Sequence, residues 1–228
     1  MRKYLIHISV VVLVLMAGAV AVLAVTREPA PQKLSPEQTL RQLLEGNTRF
    51  VKQQMTSLAG WGKGGVRKSA TPCAVVLSCA DAHIPPELLF DRGLGCLFVL
   101  RVAGNIVNPA LLGSIEMAVD QLGVPVVMVL GHERCGTVAT AAAAKGSGSG
   151  NYGALLKAIE PAVRQAERRS AGASETELLE MAVELNAKMV AGSLTDRSAL
   201  LKQKVGQGQL KIVAAKLADQ GGKVVLLD

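Results

Sequence analysis

From Ser35 onward, short unbroken apolar runs alternate with stretches of helical spacing. Ala74-Val75-Val76-Leu77-Ser78, Leu97-Phe98-Val99-Leu100-Arg101-Val102 and Val124 to Leu130 are runs of strand length. Runs of this kind, bounded by turn residues, fit strands buried on both faces of a parallel sheet. Leu210 to Ala215 and Lys223 to Leu227 read as two closing strands, with Asp219-Gln220-Gly221-Gly222 as the turn between them. Elsewhere the apolar spacing is helical. Leu40, Leu43, Leu44 and Phe50 follow Ser35-Pro36, a helix cap and first helical residue. Further helices are predicted over 114–122, 137–144, 154–169, 174–191 and 198–205. The stretch 56–71, rich in Gly, Lys and Ser, reads as a loop with Trp61 as a packing anchor, and 145–153 reads as a Gly/Ser loop. No internal repeat is visible. The alternation predicts an α/β fold, a mainly parallel β-sheet flanked by helices on both faces.

The first residues follow a different pattern. Arg2 and Lys3 precede an apolar run from Leu5 to Val25, broken only by His7 and Ser9. Val22 and Ala24 stand where a signal peptidase would cut before Thr26. At about 20 residues the run also has the length of an uncleaved membrane anchor. Either reading places the rest of the chain outside the cytoplasm, in a periplasm or on the outer face of the membrane. Arg27 to Gln32 then forms a stiff polar tether. The expected organisation is an export signal or anchor over 1–25, a linker over 26–34 and one domain over 35–228.

Composition narrows the function classes. The chain has 228 residues, a length that suits one well-cored domain. Its formal charge is +7, but the basic residues are scattered and aromatics make up only 3%. That lacks the basic, aromatic-interleaved stripe of single-strand binders, so no nucleic-acid partner is expected. Four cysteines are present without a C-x-x-C pair, which argues against a thioredoxin-like site.

The candidate chemistry lies at strand ends. Cys79-Ala80-Asp81-Ala82-His83 follows the first strand, and Gly131-His132-Glu133-Arg134-Cys135-Gly136 follows the third. Ligands of α/β sheets bind beyond the carboxyl ends of the strands, so both fragments project from one edge. Cys79, His132 and Cys135 together have the donor set of a zinc site. Asp81 either fills the fourth position or leaves it to water. Cys135 stands near a helix start, where backbone amides favour a thiolate. Glu133 and Arg134, between two ligands, suit solvated or subunit-contact roles. Cys73 and Cys96 precede their strands and belong at the opposite edge, as core thiols or as a disulfide pair.

At these residues the chain resembles the β-class carbonic anhydrases. The likeness runs from about Ser35 to the C-terminus. It includes Leu44-Glu45-Gly46-Asn47-Thr48-Arg49-Phe50, Ile84-Pro85-Pro86-Glu87-Leu88-Leu89-Phe90-Asp91 and Phe98-Val99-Leu100-Arg101-Val102-Ala103-Gly104-Asn105, besides the two fragments above. The resemblance implies zinc on Cys79, His132 and Cys135, and Asp81 aimed at the reacting water. It implies a homodimer or higher homo-oligomer, and carbon dioxide and bicarbonate as substrate and product. The family motif reads C-x-D-x-R, and His83 stands in place of the arginine that clamps the aspartate off the metal. Histidine is shorter and lacks the forked donors. Three outcomes follow: an adequate substitute, an Asp81 that closes the zinc site and silences the enzyme, or hydrolysis of carbonyl sulfide or carbon disulfide. Backbone groups near Gly104 and Gly136 are expected to line the pocket.

Overall fold

A computed structural model describes residues 34–56, 72–169 and 172–228. The expected export segment 1–25, residues 26–33 of the linker and Trp61 lie outside the described residues. Among those described, no helix is long and apolar enough to cross a membrane.

Helix α1 (Pro36–Val51) begins with a capping box: the Gln38 amide donates to Ser35 Oγ (3.2 Å), and the Ser35 amide donates to Gln38 Oε1 (2.9 Å). It buries Leu40 and Leu43, and Gly46 lets its backbone press on Phe90, whose carbonyl would lie 1.9 Å from any Cβ at position 46. Asn47, also buried, donates from Nδ2 to the carbonyls of Leu89 (3.0 Å) and Gly222 (2.9 Å) and accepts from the Val224 amide (2.8 Å). One side chain thus satisfies backbone groups from two distant turns that would otherwise be orphaned inside the protein.

The remaining elements follow in the order β1 (Ala74–Ser78), α2 (Pro86–Leu89), β2 (Leu97–Arg101), α3 (Pro109–Asp120), β3 (Val126–His132), α4 (Gly136–Ala144), α5 (Gly150–Arg169), α6 (Glu175–Arg197), α7 (Ala199–Gly206), β4 (Lys211–Leu217) and β5 (Val224–Leu227). The strands form one sheet in the order β2-β1-β3-β4-β5, parallel except for the β4–β5 hairpin. Every residue of β1 and β3 is buried, as their unbroken apolar runs require. Alternate side chains serve opposite faces. Val76 and Met128 join a core with α1, α4 and α5, while Val75, Leu77, Val127 and Val129 join a second with α3 and α7.

Two boundaries differ from the sequence reading in ways that matter. β3 starts after Pro125, which has no N–H to give the ladder, and runs on through His132 because β4 pairs alongside it to Leu217. His132 is therefore the last residue of a strand. Helix α3 starts earlier than its apolar spacing suggests, because Asn108 caps it by accepting from the Leu111 amide (2.9 Å) and Pro109 occupies its first turn.

Candidate metal centre

Parallel β1 and β3 are neighbours, so their carboxyl ends deliver Cys79 and His132 to one place. Cys135 joins them as the N-cap of α4. All three are buried, and their ligand atoms lie within 4.8 Å of one another. The grouping expected from the sequence is the grouping found.

The imidazole is held in a defined orientation. His132 Nδ1 donates to its neighbour's carbonyl, Glu133 O, at 3.0 Å. Its other nitrogen, Nε2, is buried with no hydrogen-bond partner among the described residues. A buried polar atom without a partner costs about 1–3 kcal/mol, so such atoms call for an explanation. A cation held by Nε2 and the two sulfurs would supply it, and the Nδ1 contact would then be the outer support of a ligating histidine.

The sulfurs are tuned unequally. Contact with Cys135 lowers the Cys79 pKa, and His132 and the Gly104 and Asp81 amides act the same way, against burial. The Gly104 amide donates to Cys79 Sγ at 3.4 Å. Cys135 moves the other way, above the ordinary thiol range, because of Cys79 first and burial second; the Thr137 and Val138 amides only partly oppose this. Cys79 is thus drawn toward the thiolate and Cys135 toward the thiol. For His132, burial lowers the pKa but the Cys79 thiolate and the Glu133 carbonyl outweigh it, and the net shift is upward. Buried negative sulfur beside a proton-holding ring and thiol is a site a divalent cation can neutralise by displacing those protons. The donor set fits zinc.

Asp81 and His83 lie beside this triad and form a second group with His132, again within 4.8 Å. His83 Nδ1 is 2.6 Å from Asp81 Oδ1, and the His83 ring meets the His132 ring edge to face at 5.6 Å. The Asp81 carboxylate is thus grouped with the two imidazoles rather than with the two sulfurs.

Several supports were not anticipated from the sequence. Arg101, the last residue of β2, donates from Nε to Cys79 O at 3.1 Å and from Nη2 to Asp81 O, fixing the backbone on either side of Ala80. Its guanidinium thereby serves the Asp81 carbonyl, while His83 serves the carboxylate. Asn186 in α6 donates to Gly104 O at 2.8 Å, so it holds the peptide segment whose amide faces the Cys79 sulfur. Gly104 adopts φ +69°, and a Cβ there would lie 2.5 Å from Ile159 Cδ1. Glu133 and Arg134 brace the ligand loop within the chain. Glu133 accepts from the Asp219 amide (2.9 Å), Arg134 pairs with the Asp219 carboxylate, and the Arg134 amide donates to Glu180 (3.0 Å). Lys216 bridges Glu180 (3.2 Å) and Glu184 (2.8 Å) beneath them. A charged residue closing an apolar strand at the ligand edge was a signal for Arg101. Asn186 had none, being one polar residue among many on a long helix.

A sheet of this order, with two cysteines and a histidine grouped at its carboxyl edge, defines an α/β protein with a candidate metal site. Comparison with known proteins is specific: residues 74–224, more than half of the chain, match the carbonic anhydrase family model. Carbonic anhydrase 2 of Mycobacterium tuberculosis strain H37Rv is 34% identical over 199 residues, covering 85% of this chain and 94% of that protein. Among solved structures, the β-carbonic anhydrase CafA of Aspergillus fumigatus superposes with a TM-score of 0.64 at 25% identity, covering 70% of this chain and 77% of that one. Two tetrameric β-carbonic anhydrases of Sordaria macrospora share the fold, at a TM-score of 0.63, 22% identity and coverage of 80% and 88%. The chain belongs to the β-carbonic anhydrase family.

Proposed function

We propose that this protein catalyses the reversible hydration of carbon dioxide to bicarbonate and a proton, with zinc held by Cys79, His132 and Cys135. The observation that carries the reading is the buried Cys-His-Cys triad with an orphaned imidazole nitrogen facing two sulfurs. Zinc bound there would supply a Lewis acid able to bring the pKa of water down to about 7–9.

The chain's own groups supply the rest. His83 Nδ1–H holds Asp81 Oδ1, which leaves Oδ2 to accept a hydrogen bond from the attacking water and set its lone pair toward carbon dioxide. Arg101 fixes the backbone on which that carboxylate stands. Tethered by His83, Asp81 would stay outside the set of residues that would hold zinc, Cys79, His132 and Cys135. His83 thus acts as a one-pronged substitute for the arginine of the family motif. Reaction protons leave through the exposed Asp81–His83 side, where the His83 side chain is 62% exposed. The relatives named carbonic anhydrase support the same chemistry. The N-terminal pattern supports action outside the cytoplasm, through a signal peptide or an anchor over 1–25. The β-class neighbours support assembly as a homodimer or a larger homo-oligomer, two of them being tetrameric.

Stopped-flow hydration of carbon dioxide by zinc-loaded protein, from about pH 6 to about pH 9, tests the reading. A rate well above buffer, abolished by Asp81→Ala with zinc content retained, is expected. Stoichiometric zinc with a rate equal to buffer throughout would overturn it in favour of a zinc-stabilised, non-catalytic domain.

A further inference from the structure

The sheet edge opposite the metal centre carries two more thiols. Cys73 immediately precedes β1 and Cys96 immediately precedes β2, and those strands are paired from Ala74↔Leu97 onward. The Cys73 amide donates to Cys96 O at 2.9 Å, which extends the contact between the strands to the cysteines themselves. Residues facing each other across adjacent strands have backbones about 4.8 Å apart, inside the Cα window of about 4.4–6.8 Å that a disulfide spans. Both residues are half-buried and both thiols are free. Neither has an imidazole or carboxylate in a metal-binding group with it among the described residues.

From this juxtaposition we infer that Cys73 and Cys96 are a redox-active pair that closes a disulfide between the amino-terminal ends of β1 and β2. One feature of the environment opens the pair to reaction and another restrains it. The Cys96 amide donates to Gly93 O (3.1 Å) in a turn that presents exposed Leu94 and brings Gly95 to φ +81°, so Cys96 stands at the surface end of its strand. The Arg92 guanidinium lies near Cys73, with its buried Nε lacking a hydrogen-bond partner among the described residues. Burial pushes the Cys73 thiol up, and the Arg92 charge offsets only part of that rise, so the pair reacts from the surface end of β2 inward.

The oxidant is a disulfide, either a small molecule such as oxidised glutathione or a disulfide-carrying oxidoreductase. The thiolate of one cysteine attacks a sulfur of that disulfide, forming a mixed disulfide and expelling one thiolate. The second cysteine's thiolate then attacks the protein-bound sulfur and expels the other. Two electrons pass from the cysteine pair to the external disulfide, and the two thiol protons end on the two expelled thiolates. The bridge closes a loop of roughly 24 residues that contains Cys79, Asp81 and His83. It staples the base of the strand whose other end carries a metal ligand, and it does not depend on the catalytic reading.

The test uses full-length, zinc-loaded protein, in which Cys79 and Cys135 are protected by the metal. After incubation with oxidised glutathione, free thiols are alkylated and the protein is digested and mapped by mass spectrometry without reduction. The expected result is a linked Cys73–Cys96 peptide pair lighter by two hydrogens than the reduced pair. Its Tm should exceed that of the dithiothreitol-treated protein by about 5–10 °C, a gain absent in Cys96→Ser, at unchanged zinc content. Recovery of both cysteines alkylated, of each carrying its own glutathione, or of bridges to Cys79 or Cys135 instead would overturn the inference.

Discussion

Cys79 and Cys73 stand at opposite ends of the same five-residue strand, and their surroundings have little in common. At the carboxyl end, Cys79 meets the Gly104 amide, a second cysteine at a helix start and a histidine with an unsatisfied nitrogen. At the amino end, Cys73 meets a backbone carbonyl, a second cysteine and an arginine. The residue type is the same; the direction of the chain differs. In a parallel sheet the carboxyl ends feed loops that lead into helix amino termini, so amides and ligand side chains converge there. The other edge receives the ends of helices and offers a thiol little besides another thiol. Strand polarity thus separates a pair of cysteines grouped with a histidine from a pair grouped with each other.

The largest test of this contrast exchanges one cysteine at each edge. Cys135→Ser should weaken zinc binding by about 1000-fold or more and take the hydration rate to that of buffer. Cys96→Ser should leave one zinc per chain and a rate within about twofold of the parent. Metal analysis of dialysed protein and stopped-flow rates read both; full zinc in Cys135→Ser, or its loss in Cys96→Ser, would erase the distinction. A finer cut removes a support of the carboxyl edge without touching a ligand. Asn186→Ala leaves Gly104 O without its donor and loosens the peptide segment that faces Cys79. Zinc affinity, measured by competition with a chromophoric chelator, should fall by about 10–100-fold, and an unchanged affinity would remove Asn186 from the site.

The smallest effect is a proton count. Without metal, Cys79 is held toward its thiolate, whereas Cys135 and His132 are held toward their protonated forms. Zinc must displace the Cys135 proton and any proton on His132 Nε2. Near pH 7, binding should therefore release between about one and two protons, and affinity should rise with pH and fall as acid restores those protons. A weakly buffered zinc titration with an indicator dye measures the release. A value near zero would mean that both sulfurs are already ionised and that the electrostatics described for this edge are wrong.

The grouping of Cys79, His132 and Cys135 was legible in the sequence because they come from two short fragments, each at the end of an apolar run. Once those runs are read as parallel strands, convergence of Cys79, His132 and Cys135 follows from sheet direction alone. The strand Ala74–Ser78 and the cap at Ser35 were equally plain. The supports were not, because each joins residues whose separation leaves no local pattern: Asn186 to Gly104, Asp219 to Glu133 and Arg134, Asn47 to Val224. The start of α3 was missed for a different reason. The apolar spacing begins inside the helix, whereas Asn108 and Pro109 set its first turn.

The bracing of the ligand loop by Asp219 has a consequence for how the site is made. A growing polypeptide contains all three ligands once Cys135 has been added, yet Glu180, Asn186 and Asp219 are still to come. Metal captured during synthesis would therefore sit in a loose and unguarded grip, and a firm hold must await the final hairpin. The ligand loop is therefore braced only after residues well downstream of its last cysteine have folded back onto it.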